Sequence, residues 1–568
     1  IGDTVNKVIT RDFGFGETTG SVFVGETELA VASWGDATIT ATVPAGTTTG
    51  QLKVVRGDNG AETVKSVTVQ VGLRGGANVI RVTADNTGNP FATPIQDAIG
   101  TDVIAGAKDN DLILVDCGQY DEMVVMWKPV QLQGSGECTT INAVKTPFEK
   151  LETWRAMVGG LVSSGKVTLL PGQEAGGGNP EPVTLQTEEG AGVLVLARSN
   201  RFASNNNRGA RVDGFTIKSA DTGGGIIVNG YADYLEISNN RVANNAGFYG
   251  GGIRVGHPSL TAEDNIVPGG CPDGAAICYT DAQNNYVDVH NNQVVFNGAF
   301  DGAGAGISMC TGSDFYEVTG NWVCGNFSLR DGGGIGHVGL SDGLGEAVDV
   351  PGECSQGGTP EGGCTSNGQC SGGQNQCVIP DPIWVVTEAP LIEDNTVIFN
   401  ESFFQGQTVS GGGIFVGGTQ PLTPGGLSAG AGNVQVNGNL IQGNSAGAGD
   451  GGGIRLASVN GQDVAKNPDN TVPSQRQDPA PWYAVDISNN MIVNNVAGLA
   501  GGGISIQDAV DARIINNTIA NNDSLATAGE AFPPGNPNQS TPQPGAGIVT
   551  RAHSAAPVSY THLTLPTT

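Results

Sequence analysis

No run of 18 apolar residues occurs in these 568 residues, so no segment reads as a membrane-spanning helix. A secretory signal peptide is missing as well. Because Ile1 already lies in what reads as a strand, the sequence is expected to be a fragment whose export signal and anchor lie elsewhere. Basic residues are scarce: 26 Lys and Arg stand against 55 Asp and Glu, a net charge of -29. That balance excludes nucleic acid as a partner, since phosphates demand Lys/Arg surfaces. Cations or neutral glycans suit it better, although acidity also serves solubility alone. The closely spaced C-x-x-C pairs of zinc loops are lacking among Cys354, Cys364, Cys370 and Cys377. Those four, together with Cys271 and Cys278, read as loop disulfides formed outside the cytosol, a four-cysteine zinc knuckle being the alternative. Glycine is abundant, 90 residues, but lacks the every-third period of collagen.

What the chain does contain is one nine-residue pattern, [Val/Ile]-x-x-Asn-x-[Val/Ile]-x-x-Asn, in seven copies starting at Ile237, Val289, Val318, Ile392, Val436, Ile487 and Ile514. The first asparagines are Asn240, Asn292, Asn321, Asn395, Asn439, Asn490 and Asn517; the second are Asn245, Asn297, Asn326, Asn400, Asn444, Asn495 and Asn522. A degenerate copy begins at Val212 with Phe215 in the first asparagine position. Gly-rich elements ending in isoleucine accompany the copies, as in Gly251-Gly-Ile253 and Gly451-Gly-Gly-Ile454. The closest copies start 25, 27 and 29 residues apart, too short a period for a helix-pair repeat and suited to short strands. Each unit has three apolar points flanked by small or polar residues, which predicts three strands per turn of a solenoid. Asparagine between strands tolerates the left-handed conformation, and identical asparagines one strand spacing apart can bond as a ladder. Glycine serves the tight corners. The expected fold is all-β, with a right-handed parallel β-helix of about ten coils.

Residues 1–72 alternate apolar and polar in short runs such as Ser21-Val-Phe-Val24 and Gln51-Leu-Lys-Val-Val55, which predicts a small β-sandwich. Asp12-Phe-Gly-Phe-Gly16, Val22-Phe-Val-Gly25, Trp34-Gly-Asp and Ile39-Thr-Ala-Thr-Val-Pro-Ala-Gly46 resemble an IPT/TIG immunoglobulin-like domain. The resemblance implies a spacer or binding module of a bacterial surface protein. Downstream, Ile95-Gln-Asp-Ala-Ile99, Asp111-Leu-Ile-Leu-Val115, Gly118-Gln-Tyr120 and Pro129-Val-Gln-Leu-Gln-Gly134 resemble the opening of pectin-lyase-like β-helices, in which a short helix caps the first coil. Open strand edges invite aggregation, so such a cap is needed. The β-helix is expected over 77–556, with its cap at 77–116, a helical insertion at 143–165 carrying Phe148, Leu151, Met157, Val158 and Leu161 at helical spacing, and a Cys-rich insertion at 336–390. Residues 557–568 break every earlier pattern and read as a non-native tail. Insertions 256–286, 336–390, 415–433 and 456–483 all follow a glycine element and precede the next asparagine pattern, so they decorate one edge of the column.

The chemistry sits beside the core residues that begin each pattern. Glu236, Asp288 and Glu317 precede the core position on three coils and Glu393 follows it on a fourth, placing them on the outer face. Aligned carboxylates about 4.8 Å apart repel unless a cation intervenes. Pectate lyases, which the helix resembles, hold Ca2+ on such a face to acidify a uronate proton, and the resemblance makes Arg254, His290 and Arg455 candidate bases. A solvated acidic stripe is the alternative. Asp301, Asp331 and Asp450 read either as a second calcium ladder or as caps of corner amides. His337, at an inward position, reads as a hydrogen-bonded core histidine. Gly-Gly-x-Ile elements alternating with Val295-Phe-Asn297 and Ile398-Phe-Asn400 also resemble polymorphic outer-membrane protein repeats, which implies adhesion. The expectation is therefore an extracellular or bacterial cell-surface protein, including an outer-membrane location, that binds a polysaccharide or another surface ligand. The alternative is a calcium-dependent polysaccharide lyase or glycoside hydrolase. No cofactor is demanded beyond the candidate Ca2+, and the sequence leaves the oligomeric state open.

Overall fold

Each nine-residue copy folds as two short strands joined at a bend, and successive copies pair in parallel with their Val/Ile residues in register: Ile237 on Val289 on Val318 on Ile392 on Val436 on Ile487. The computed structural model describes residues 14–63, 66–173, 190–203, 209–258, 260–271, 274–341, 344–348, 353–355, 370, 376–378, 383–404, 407–466, 482–529, 532 and 545–551. Most of the 336–390 insertion, Cys364 and the 557–568 tail lie outside them. The chain divides into two compact units, Ile1–Asn78 and Val79–Thr568.

In the first unit an antiparallel sheet containing Ser21–Val24 and Gly50–Val55, and a hairpin of Ala30–Gly35 with Thr38–Thr42, share an apolar core. Val22, Val24 and Leu29 are buried there against Trp34, Ile39, Leu52 and Val54. This is the expected small sandwich.

The second unit is a parallel β-helix, and its strand-to-strand crossovers are of the kind that is right-handed in nearly all proteins. Four parallel sheets run along it. Sheet 1, of eleven strands among the described residues, runs from Val79–Val82 to Asp511–Ile515 and holds the first Val/Ile of each copy. Sheet 2, of ten, runs from Gly118–Tyr120 to Thr518–Ala520 and holds the second. Sheet 4, of ten, runs from Val124–Met126 to Ile548–Thr550 and holds the isoleucines of the glycine elements. Between sheets 2 and 4 lies sheet 3, seven two-residue strands from Ala246–Gly247 to Asp523–Ser524. The expected three strands per turn are thus four in these coils. Sheet 3 buries only one small residue per strand, such as Ala299, Ser328 or Ala446, and so leaves no apolar signal.

The asparagines form two continuous ladders and, apart from the terminal Asn517, are almost fully buried. Asn292 shows the arrangement: its backbone N–H and Nδ2 both donate to Oδ1 of Asn321, at 2.9 and 3.0 Å, and Nδ2 also donates to the Ile237 carbonyl at 2.7 Å. Its own Oδ1 accepts the backbone N–H and Nδ2 of Asn240. All four bonding capacities of the amide are therefore used. The left-handed residue is not the ladder asparagine, as expected from sequence, but its predecessor: Asn239, Asn291, Gly320, Asp394 and Gly438 have φ of 54°, 53°, 62°, 52° and 68°. The bend is made one residue early so that the asparagine side chain turns inward. Phe215 ends the first ladder, its N–H donating to Asn240 Oδ1 at 3.1 Å. The glycine before each glycine-element isoleucine is required by the second ladder: a Cβ on Gly413 would lie 2.6 Å from the Gly453 carbonyl and 3.0 Å from Asn444 Nδ2.

The cap and helical insertion are α1, Pro94–Ile99, and α2, Glu149–Ser163. Ile95 and Ile99 bury completely against the first coils, and both carboxylate oxygens of Glu122 accept the first free amides of α1, Ile95 and Gln96, at 3.0 Å. Burial pushes the Glu122 carboxyl up to about 8 against the pull of those amides. In α2 the packed residues are Leu151, Trp154, Val158 and Leu161; Phe148, expected on that face, is exposed and Trp154 takes its place. Cys271–Cys278, Cys354–Cys370 and Cys117–Cys138 are disulfides, the last linking adjacent coils. Cys377 is also disulfide-bonded. Cys310 and Cys324 lie outside any disulfide, so the ten cysteines do not pair completely.

Candidate functional site

Alternation along sheet 1 sends the residues on either side of each core Val/Ile to the outer face, in two rows. The first reads Arg211, Glu236, Asp288, Glu317, Leu391 and Gln435 from coil to coil; the second reads Asp213, Ser238, His290, Thr319, Glu393 and Asn437. Glu236, Asp288 and Glu317 are therefore in register on three successive coils. Glu393 falls in the other row, two coils from His290, and bonds the Asn437 amide.

The carboxylates are answered by cations of the same face. His290 Nε2 lies 3.1 Å from Glu236 Oε1 and 3.6 Å from Asp288 Oδ2, and Ser238 Oγ donates to the same Glu236 oxygen at 3.1 Å. Beside them the buried Arg211 and Asp213 pair at 3.3 Å, Arg211 also donating to Gln133 Oε1 at 2.8 Å. Burial would raise the Glu236 carboxyl, but the His290 hydrogen bond and the Arg211 charge outweigh it and hold it below the usual range. Burial would lower His290, yet Glu236 and Asp288 raise it above an ordinary imidazole. Asp288 goes the other way: burial, only partly offset by His290 and reinforced by Glu236 and Glu317, pushes it up to about 6. Two carboxyl groups on adjacent coils are thus shifted in opposite directions.

Ca2+ does not fit this arrangement. The positive charge between the carboxylates is an imidazole, Glu236 directs one oxygen to Ser238 and His290, and among the described residues no group of three or more His, Cys, Asp or Glu side chains is placed to hold a metal ion.

A stack of rings flanks the rows. Tyr234, Tyr286 and Phe315 each stand two residues before an acidic residue, with φ of 58°, 57° and 54°. Tyr234 and Tyr286 stack at 4.9 Å and 4°, Tyr286 and Phe315 at 4.9 Å and 21°. The insertions arise just upstream; the hairpin of Thr261–Glu263 and Ile277–Tyr279, closed by Cys271–Cys278, reaches a second insertion through Tyr279 Oη donating to the Gln420 carbonyl. Arg211, Asp213 and the rings were not singled out in the sequence. The rings did leave a signal, an aromatic three residues before the core position in three consecutive copies; Arg211 and Asp213 sit in the degenerate copy.

The other candidates lie elsewhere. Arg254 and Arg455 occupy the outer slot of sheet 4 with Ser308, Phe415 and Ser505, but that slot is closed: Arg254 is 1% and Arg455 6% exposed. The Gly-rich segment doubles back over it, so that a Cβ on Gly250 would lie 3.0 Å from Arg254 Cβ and one on Gly451 2.9 Å from Arg455 Cβ. Arg254 lies over the Tyr249 ring at 5.9 Å. Arg455 donates to Ser505 Oγ at 2.7 Å and pairs with Asp450 at 3.6 Å. Neither faces the acidic row. Asp331 accepts the Ser410 N–H at 2.6 Å and Asp301 pairs with Arg330 at 3.0 Å, the corner-capping role. His337 is a core residue bonded to Tyr316 Oη at 2.7 Å and to the Ala431 carbonyl at 2.9 Å, and burial drives it down to about 4.

No protein-family model and no curated protein matches this chain. Two solved structures are similar. An alginate lyase from Paenibacillus sp. str. FPU-7 is 10% identical with a TM-score of 0.26, over 79% of this chain and 99% of that one. The catalytic domain of a GH87 α-1,3-glucanase variant, in complex with tetrasaccharides, is 11% identical with a TM-score of 0.24, over 95% of this chain and 87% of that one.

Proposed function

We propose that this is an extracellular β-helix protein that binds a carbohydrate chain along the outer face of sheet 1, at the foot of the insertions. The observation that carries the reading is the in-register file of the partly exposed Glu236, Asp288 and His290, with buried Arg211, Asp213 and Ser238 beside them, bordered by the Tyr234–Tyr286–Phe315 stack. Polar groups spaced by one strand, about 4.8 Å, with apolar rings beside them suit the alternating hydroxyl and C–H surfaces of a sugar polymer. Carboxylates outnumber cations on the face, so a neutral glycan suits it better than a polyuronate. Disulfides support an oxidising compartment. The first unit, read as an IPT/TIG-like domain over 1–72, serves as a spacer for the helix at 77–556; no outer-membrane anchor enters the proposal. The test is calorimetric titration with neutral oligosaccharides. Binding is expected, and its persistence in Asp288→Ala/His290→Ala would refute this site.

One observation favours a second reading, glycoside hydrolysis. Asp288 is held up near 6 beside an ionised Glu236, the division of roles that an acid and a nucleophile need. One strand spacing between them lies close to the roughly 5 Å separation of retaining enzymes. Release of reducing ends by the protein, abolished in Asp288→Asn and in Glu236→Gln, would establish it; binding without release would leave the protein a binding module.

A further inference from the structure

Around the corner from sheet 1, six aromatic side chains on three consecutive coils of sheets 2 and 3 stand exposed among the described residues. The strand registers bring them together. Trp322 stands between Gln293 and Thr396, Phe327 between Gly298 and Glu401. The bend residues of the same coils are Phe296, Gly325 and Phe399, and the residues after sheet 3 are Phe300, Leu329 and Phe403. Phe296 and Phe399 are 61% and 60% exposed, Phe300 52%, and Trp322, Phe327 and Phe403 about two-fifths. Contiguous exposed apolar surface of this kind marks an interaction site.

The fold does not ask for these rings. At the bend occupied by Phe296 and Phe399, other coils have Asn244, Gly325, Gly443, Asn494 and Asn521, all with φ between 54° and 67°. Phenylalanine is out of place in that conformation. Each ring is nevertheless seated: Phe296 Cε1 would lie 2.8 Å from a Cβ on Gly325, and Phe399 Cε1 2.7 Å from one on Gly443. The glycine of the next coil makes the space into which the ring lies down, and most of the ring remains open to solvent.

The chemistry of the face points to its occupant. Gln293–Phe300, Trp322–Leu329 and Thr396–Phe403 contain one charged side chain, Glu401, in a chain of net charge -29. A polyanion would meet no cation on these segments, and of the arginines that border them Arg330 is paired with Asp301 and Arg241 is bonded to Gln293; a polycation would find the rest of the molecule more attractive. A second copy would bring its own charge of -29 against the first. Exposed rings distributed over three coils, on segments almost without charge, suit a neutral polymer that presents apolar C–H surfaces.

We propose that the outer face of sheets 2 and 3, centred on Trp322, Phe327, Phe296 and Phe399, is a docking surface for a neutral, insoluble polysaccharide. It goes beyond the sheet 1 reading and does not depend on it. The two faces turn in different directions, so one coil stack can hold a polymer surface while sheet 1 engages a separate chain.

The test is depletion of the full chain from solution by microcrystalline cellulose, chitin and insoluble β-1,3-glucan. Phe296→Asn/Phe399→Asn is the variant of choice, because asparagine already occupies that bend in three other coils; Trp322→Ala/Phe327→Ala is the second. Retention on at least one powder is expected, unchanged between 0.05 and about 0.5 M salt because the face lacks charge, and reduced at least tenfold in both variants while calorimetric binding at sheet 1 is unaffected. Failure of the unaltered protein to bind any powder, or equal retention of the variants, would overturn the proposal. A concentration-dependent dimer in sedimentation that both variants abolish would overturn it in favour of a second copy.

Discussion

The outer faces of sheets 1 and 2 share one backbone plan, yet differ in almost every side chain they present. Both strands of a coil turn one Val or Ile inward, and both end at a left-handed bend followed by a ladder asparagine. Outside, sheet 1 shows Glu236, Asp288, His290 and Glu317, whereas the neighbouring coils of sheets 2 and 3 show Phe296, Phe300, Trp322 and Phe327. The interior therefore sets the shape and leaves the outer rows free. Buried ladder amides contribute about 1 kcal/mol per hydrogen bond and each buried Val or Ile roughly 1.5–3 kcal/mol. Neither term constrains what stands one residue away on the other side of the strand. A charged file on one face and an aromatic one on the next are accordingly not dictated by the fold.

Breaking the shared interior has the largest expected effect. Asn321→Ala removes an amide that bonds Asn292, Asn395 and the Val289 carbonyl, leaving buried partners unsatisfied at about 1–3 kcal/mol each. Urea unfolding should show a loss of several kcal/mol, and both faces should lose binding together. Arg211→Ala removes the ion-pair partner of buried Asp213, which keeps the Asn239 amide; breaking such a pair costs about 3 kcal/mol, and the loss of binding should be confined to sheet 1. Asp288→Asn acts on pH dependence. The folded carboxyl titrates near 6, above its ordinary value of 3.8, so the protonated form favours the folded state and stability is lost as pH rises from about 4 through 6. The melting temperature of the variant, measured across that window, should lack this decline. Phe399→Asn is expected to have the smallest effect on stability, neutral or stabilising by up to about 1 kcal/mol as the left-handed bend is relieved, with sheet 1 binding intact.

Much of the solenoid was legible because its strongest signals are residues that must repeat. Val or Ile at three-strand intervals and asparagine at fixed offsets gave coil number, sheet membership and the register of Glu236 on Asp288 on Glu317. Sheet 3 was not legible, since two residues with one small inward side chain resemble any turn. Sequence alternation also implied that Arg254 and Arg455 face outward, which is true of the strand but not of the surface. The Gly-rich segment folds over sheet 4, and only glycine lets backbone approach so closely. Charge balance on sheet 1 was hidden for another reason: Arg211 precedes Val212 in the degenerate copy, and the raised His290 answers Glu236 from the neighbouring row. Reading only the acidic residues made the face look like a site awaiting a cation.

The outer face of sheet 1 is proposed to bind carbohydrate separately from the aromatic face beside it. The most direct test titrates one panel of soluble neutral oligosaccharides into the unaltered protein, Asp288→Ala/His290→Ala and Trp322→Ala/Phe327→Ala, all checked for equal melting temperature. Binding lost in the first variant and kept in the second is the predicted result. Binding kept in the first, or lost equally in both, would contradict it.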